Sequence, residues 1–364
     1  MKKNIIIFMP SIEGGGVEKN LFLVTNFLAK RLNGVTLISI SKKFKNKFNK
    51  FVSFKTLNAK LWDKQPRRLK YFLAICLLIV ELIRDRNKVV FAFQANIYCI
   101  IICKLFFIKI IVRSNSAPIG WSKNILKRII FKYFLNQANQ VMVNSNEFKT
   151  DLKREFNLTS KCIYNPLNSK EIVNKSKKKS HKYFKKKSGI KILNIGRFTE
   201  QKDQITLLKS LKLIDEQVNF EAIIVGRGEF KESLIEKIRE LKLSKKVKLI
   251  NFLSNPFPII KESNLFILSS KYEGLPNVLL ESLVLKKFII SSNCRTGPNE
   301  ILSNGKGGLL FKVGDENDLA KKILFFIKNK KICNQKLKYA RQKLFRFDYN
   351  KNLGEYLKLV QRFT

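Results

Sequence analysis

Ser269-Ser270-Lys271-Tyr272-Glu273-Gly274-Leu275-Pro276-Asn277-Val278-Leu279-Leu280-Glu281 is the stretch on which the reading of the fold turns. A strand-like run, Asn264 to Ser270, closes into a turn holding Gly and Pro, and a helix-like run, Asn277 to Leu285, follows. Pro276 suits the first turn of that helix, where its missing N–H would have had no partner. The free N–H groups of that turn and the helix dipole favour an anion. Two carboxylates at such a spot, Glu273 and Glu281, are costly unless they serve a purpose such as holding the hydroxyls of a sugar. The plainer alternative is that acids cap the helix.

Outward from this stretch the same grammar repeats. Lys191–Ile195 reads as a strand ending in Gly196-Arg197, Gln204–Leu213 as a helix, and Glu221–Val225 as a strand ending in Gly226-Arg227-Gly228. A helix over Phe230–Leu241 follows, then short strands at Val247–Asn251, Leu265–Leu268, Phe288–Ser291 and Gly308–Phe311, and a helix over Asp318–Lys328. The first half shows strand, glycine loop and helix at Asn4–Met9, Ser11–Gly16 and Val17–Leu32. Strands at Val35–Ile40, Val89–Phe93, Phe107–Arg113 and Gln140–Asn144 then alternate with helices at Tyr71–Ile83, Ile97–Leu105 and Trp121–Asn136. Apolar strands without alternation, separated by helices, mean parallel sheets covered on both faces.

The predicted fold class is therefore α/β, with two Rossmann-like doubly wound domains facing across a cleft. Ligands in such an architecture bind at the carboxyl ends of the strands. The expected divisions are 1–170 for the first domain, 171–190 for a basic linker rich in Lys and Ser, 191–345 for the second domain, and 346–364 for a terminal helix packing back toward the first domain. The length of 364 residues fits two domains.

Hydrophobic residues make up 45%, which excludes a disordered chain. With 72 basic and 27 acidic residues, the net charge of +45 attracts phosphates in nucleotides, nucleic acid or an anionic membrane. Abundant Lys beside Asn, Ile and Phe also fits an AT-biased genome, so much of the charge reads as solvated surface. No helix-turn-helix, zinc finger or RNA-binding aromatic motif supports a nucleic-acid partner. The six cysteines are scattered without a CxxC pair, so neither a zinc site nor a disulfide framework is expected, and a reducing cytoplasm fits. The N-terminal apolar run reads as a first strand and not as a signal peptide. Tyr71–Ile83 is too short to span a bilayer, and Ile97–Val112 is interrupted by Lys104 and Lys109. Both read as buried helix and strand, with a surface contact open because basic residues flank them.

Three more patterns carry chemistry. Gly14-Gly15-Gly16 after the first strand lets backbone N–H groups approach an anion, although a flexible turn has the same composition. Arg197 and Lys202, five apart at a strand-to-helix turn, suit a diphosphate through a fork and a point charge. Gly226 and Gly228 again permit close backbone approach.

These motifs carry a family resemblance. Gly-Gly-Gly-Val-Glu-Lys, Gly-Arg-Phe-x3-Lys-Asp, Val-Gly-x-Gly, Ser-x2-Glu-Gly-Leu-Pro-Asn-x3-Glu-Ser and Gly297-Pro298-Asn299-Glu300-Ile301 occur in order. The chain resembles the family-4 retaining glycosyltransferases of the GT-B fold, above all those that extend bacterial surface polysaccharides such as O-antigen or capsule on lipid carriers. The resemblance implies an enzyme that moves a sugar from a nucleoside-diphosphate sugar to a glycan acceptor on polyprenyl diphosphate, with no cofactor and no metal. It implies that Glu273 holds donor-sugar hydroxyls, Glu281 the ribose, and Arg197 and Lys202 the diphosphate. The backbone of Gly274, Leu275, Pro276, Asn277 and Val278 would line the sugar and phosphate pocket, with Gly226 and Gly228 also on the donor. Gly15 and Gly16 would approach it from the other domain.

Many members of the family it resembles carry a histidine in the first domain near the reacting sugar, whereas His181, in the linker, is the sole histidine here. Arg113-Ser114-Asn115-Ser116-Ala117-Pro118 takes the equivalent place, so Arg113 or Asn115 would contact donor or acceptor, unless the stretch is loop structure alone. The expected location is cytoplasmic, peripherally at the inner face of the plasma membrane. The alternatives are a sugar-nucleotide epimerase of the same fold and a basic nucleic-acid- or membrane-binding protein without catalysis.

Overall fold

In the computed structural model, which describes residues 4–13, 15–40, 42, 44–57, 62, 65–115, 124–178, 183–185 and 188–364, the chain divides into two units. One comprises Met1–Pro166 with Tyr349–Thr364, the other Leu167–Asp348.

The first unit is built from β1 (Asn4–Phe8), α1 (Gly16–Ala29), β2 (Val35–Ile38), β3 (Val52–Lys55), α2 (Arg67–Arg84), β4 (Lys88–Ala92), α3 (Asn96–Leu105), β5 (Lys109–Arg113), α4 (Ile125–Gln137), β6 (Gln140–Val143), α5 (Asn146–Phe156) and β7 (Ser160–Cys162). The seven-stranded parallel sheet runs β3-β2-β1-β4-β5-β6-β7. Its order reverses direction beside β1, where ligands bind in doubly wound sheets. Alternation on β1 splits the core: Ile6 and Phe8 join the layer under α2, α3 and α5, while Ile5 and Ile7 join the layer under α1. Both layers are fully buried, which explains why the strand reads as a continuous apolar run.

One buried acid ties this sheet to its helix. Glu81 on α2 takes Lys55 of β3 and Lys88 of β4, each at 3.3 Å. Burial alone would raise its carboxyl, but the hydrogen bonds and charges of Lys55 and Lys88 prevail and hold it below the ordinary value. A depressed carboxyl contributes stability above its unfolded value, near pH 4.3, and loses that contribution as pH falls through the folded value. Glu81→Gln is therefore expected to destabilise the first unit by about 1 kcal/mol at neutral pH, discounted because Lys55 is partly solvated. Calorimetry should find the gap to wild type closing below about pH 4.

The second unit contains α6 (Ser169–Ser176), β8 (Ile190–Ile195), α7 (Gln204–Leu213), β9 (Phe220–Gly226), α8 (Lys231–Glu240), β10 (Val247–Asn251), α9 (Phe257–Glu262), β11 (Leu265–Leu268), α10 (Asn277–Val284), β12 (Phe288–Ser292), α11 (Pro298–Ile301), β13 (Leu309–Phe311), α12 (Glu316–Lys328) and α13 (Lys330–Gln342). Its six-stranded parallel sheet runs β10-β9-β8-β11-β12-β13 and reverses direction between β8 and β11.

The expected linker, 171–190, needs correction. Asn168 accepts the Glu171 N–H at 3.1 Å and so caps α6, whose Ile172 is buried. Further on, Glu262 accepts the N–H groups of Tyr183 and Phe184, each at 3.1 Å, and Phe184 is fully buried. Much of the basic run thus belongs to the second unit. His181 lies outside the described residues. The terminal helix α14 (Tyr349–Gln361) packs on α1 and places Leu353, Tyr356, Leu359 and Val360 in the first unit's core.

Candidate functional site

The switch point of the second sheet gathers the key residues. β8 ends at Ile195 and runs into Gly196-Arg197, while its neighbour β11 ends at Leu268 and runs into the Ser269–Pro276 turn. A short 3-10 turn, Glu200–Lys202, precedes Asp203, whose backbone is left-handed at φ 45°. Asp203 caps α7, accepting the Thr206 hydroxyl at 2.7 Å. This reversal sends the Lys202 side chain back over Gly196, where an added Cβ would crowd the lysine stem at 3.3 Å.

Lys202 Nζ ends on Glu273 Oε1, and both side chains are largely withdrawn from solvent. The Ser270 hydroxyl donates to the same oxygen at 2.7 Å. Oε2 of Glu273 accepts nothing from a described residue. An acid held on one oxygen and open on the other can take a hydroxyl hydrogen bond. The guanidinium of Arg197 is exposed and makes no ion pair among the described residues; its carbonyl accepts Gln204 Nε2 at 3.0 Å.

The turn that carries Glu273 is pinned on every side. Ser269 Oγ donates to the Lys202 carbonyl at 2.9 Å, Gln201 Nε2 to the Tyr272 carbonyl at 2.9 Å, and Ser292 Oγ to the Ser270 carbonyl at 2.6 Å. Thr296, itself left-handed at φ 65°, donates its hydroxyl to the Glu273 carbonyl at 2.6 Å. Beside it Gly297 has φ 78°, and a Cβ there would stand 2.0 Å from the Gly274 carbonyl oxygen. Backbone strain concentrated against one turn marks a site whose geometry is over-determined. Cys294 sits nearby as a neutral thiol, pushed up to about 12 by burial first and then by the Glu273 charge.

α10 begins immediately after this turn. Pro276 is its N-cap residue, directly before the helix, which begins at Asn277 as the sequence indicates. No side chain caps α10, and its first turn contains no acid. The capping explanation for Glu273 and Glu281 is thereby removed. Gly274, Leu275, Pro276, Asn277 and Val278 form the corner itself, and Glu281 lies buried in the second turn of α10.

Gly226, which ends β9, and Gly228 beyond it permit the close backbone approach expected of them, within the protein itself. A Cβ on Gly226 would fall 1.9 Å from the Gly196 carbonyl oxygen, and one on Gly228 would fall 2.2 Å from that of Phe198. These glycines let two loops of the protein touch, which accounts for them without a ligand. In the first unit Gly15 caps α1 and Gly16 starts it; a Cβ on Gly15 would press on the Glu18 carboxylate at 2.9 Å. Gly14 lies outside the described residues.

Arg113 also departs from expectation. It is 1% exposed, donates to Asn165 Oδ1 at 2.7 Å, and stacks over the Phe93 ring at 5.3 Å. Its charge lies beside the Tyr356 hydroxyl of α14. The guanidinium is thus enclosed, and its Nε and Nη1 make no hydrogen bond among the described residues. Asn115 is half-buried and donates to the Phe93 carbonyl at 2.9 Å. Ser116, Ala117 and Pro118 lie outside the described residues.

Residues the motif reading passed over are Gln201, Ser270, Ser292 and Thr296. Gln201 and Ser270 stand inside the motifs, Gln201 beside Lys202 and Ser270 three residues before Glu273, and that closeness was the available signal. Ser292 and Thr296 come from a neighbouring strand end and could not be placed without the sheet order. Among the described residues no group of three or more His, Cys, Asp or Glu side chains could hold a metal ion.

Comparisons with known proteins bear on the fold and on the second half of the chain. Residues 175–343 match the family "Glycosyl transferases group 1". The chain is 36% identical over 201 residues to "Uncharacterized glycosyltransferase MJ1059" of Methanocaldococcus jannaschii, covering 52% of this chain and 49% of that protein. It therefore spans about half the length of that relative. It is 25% identical over 260 residues to the N-acetylgalactosamine-N,N'-diacetylbacillosaminyl-diphospho-undecaprenol 4-alpha-N-acetylgalactosaminyltransferase of Campylobacter jejuni, covering 69% of each. Among solved structures, Anabaena Alr3699/HepE in complex with UDP-glucose superposes with a TM-score of 0.79 at 18% identity, covering 99% of this chain and all of that one. That likeness speaks for a shared fold. Residues 175–343 are thus similar to the group 1 glycosyltransferases, and the archaeal and bacterial relatives carry glycosyltransferase names.

Proposed function

We propose that the protein transfers a sugar, with retention of anomeric configuration, from a nucleoside-diphosphate sugar to a glycan carried on a polyprenyl diphosphate. The observation that carries the reading is the Lys202–Glu273 pair at the switch point, on a turn fixed by Ser270, Gln201, Ser292 and Thr296. Glu273 would grip donor-sugar hydroxyls through its open oxygen, and Glu281 would hold the ribose. The amide corner at Gly274–Val278 would face the phosphates.

Departure of the nucleoside diphosphate builds charge on a phosphate oxygen. Lys202 and Arg197 would neutralise that charge, Lys202 exchanging its contact with Glu273 for one with the leaving group. Glu273 is engaged by Lys202 and Ser270 and is assigned here to the sugar hydroxyls, so attack from the face of departure is proposed, with the leaving phosphate taking the acceptor's proton. The Campylobacter relative, whose printed name includes an undecaprenol-linked acceptor, supports the lipid-linked acceptor, and the UDP-glucose complex of the Anabaena protein supports the donor class. Such an acceptor would place the protein at the anionic inner face of the plasma membrane.

The test is nucleoside diphosphate release by purified protein against a panel of nucleotide sugars, with and without a polyprenyl-diphosphate-linked glycan. Acceptor-dependent release with a lengthened, anomer-retained glycan is expected. Conversion of the donor to its epimer without transfer would overturn the reading, and a trapped glycosyl-enzyme would overturn same-face attack.

A further inference from the structure

Residues 86–146 contain no Asp or Glu, although the chain has 27 acids. α4 lies in this stretch, and its exposure is inverted. Ile125 is 73% exposed, and Leu126, Ile129, Ile130 and Tyr133 are also open to solvent. At 3.6 residues per turn these five fall in one stripe about 140° wide. Lys132 lies at one edge of the stripe and Lys127 beyond the other. The opposite face is the one that docks: Leu135 is buried and Arg128 pairs with Glu155 at 3.0 Å. The turn leaving α3, which packs beside α4, exposes Phe107 to 93% in a left-handed conformation at φ 57°. A bulky side chain held in that conformation and given to solvent gains nothing from folding.

We infer that the outward stripe of α4 lies in the interfacial layer of an anionic lipid bilayer, with Ile125, Leu126, Ile129 and Ile130 among the acyl chains and Lys127 and Lys132 at the headgroups. The side chains match an interfacial helix: apolar on one face, cationic at both margins, Tyr at the boundary, acids absent. Among the described residues no helix is long and apolar enough to cross a membrane, which fits lying on the surface and not spanning it. A second copy of this chain is disfavoured as the occupant, because a two-fold contact would set Lys127 and Lys132 against their own counterparts. The inference deepens the proposed action at a membrane-borne acceptor and names the face that meets the bilayer.

Flotation with phosphatidylcholine vesicles containing about one third phosphatidylglycerol, and with pure phosphatidylcholine, tests it. Wild type should float with the anionic vesicles and far less with the neutral ones. Leu126→Asp with Ile130→Asp should lower the bound fraction about tenfold or more, and Lys127→Glu with Lys132→Glu should do so on the anionic vesicles alone. Because all four side chains are exposed, unfolding temperatures should stay within about 2 °C of wild type. Undiminished flotation of both variants overturns the assignment of the face. Sedimentation showing a wild-type dimer that the Asp variant dissociates, without vesicle binding, assigns the stripe to self-association and overturns the inference. Donor-dependent nucleoside diphosphate release is read alongside. Release without flotation sinks the inference alone, and flotation without release sinks the proposed transfer while the inference stands.

Discussion

Glu273→Gln is expected to lower sugar transfer about 100- to 1,000-fold while leaving the second unit folded. The substitution keeps the shape, and the Ser270 hydroxyl can still donate to an amide oxygen. What disappears is the negative charge that holds Lys202 and that would grip a sugar hydroxyl as the ring gains oxocarbenium character. Lys202→Met should cost a similar factor by removing charge from the leaving phosphate. Because the two side chains share one bond, the double variant should lose much less than the product of the two factors. The discriminating measurement is the split between kcat and KM: a loss confined to KM would mean donor gripping only. Wild-type turnover in the Gln variant would end the assignment.

The second large effect concerns stability. Gly226→Ala is expected to destabilise the second unit by about 3 kcal/mol, at the upper end of what overpacking costs. The neighbour is the Gly196 carbonyl oxygen at 1.9 Å, part of the backbone, so no rotamer change can relieve the contact. At the size of this unit the unfolding temperature should fall by about 6–12 °C. Gly354→Ala is the control. It sits in α14 with nothing within 4 Å of its added Cβ, and should gain about 0.5–1 kcal/mol from helix propensity. If Gly226→Ala instead melts like wild type but binds UDP poorly, the glycine serves a ligand after all, as the motif reading holds.

The contrast at Gly226 shows where sequence reading reaches its limit. A glycine after a strand announces close approach, but not what approaches; only the sheet order brings β8 and β9 side by side and makes Gly196 the neighbour. Elements with strong internal periodicity and clear ends, such as α7, β10 and β11, are legible to the residue. β7 is three residues of Ser, Lys and Cys, and α13 buries only Cys333 and Ala340, so neither has an apolar pattern to read. The run 171–190 misleads because its lysines are solvated while single apolar anchors, Ile172 and Phe184, fix it. Arg113 misleads in the opposite sense: a cation beside a loop suggests a ligand, and its burial against Asn165 and Tyr356 depends on α14, more than 230 residues later. Glu273, Lys202 and Arg197 were legible because strand, turn and helix recur around them at fixed spacing, and that spacing sets them at one end of one sheet.

α14 has a bearing on how the molecule is made. The unit that contains residues 4–166 lacks Leu353, Tyr356, Leu359 and Val360 until the other unit has been translated. An emerging 1–166 segment would carry an uncovered apolar floor throughout synthesis of the intervening unit, which is contiguous in the chain. Vectorial synthesis therefore sets the order of maturation against the order of appearance: the later-born domain settles early, and the earlier-born one waits for its last helix.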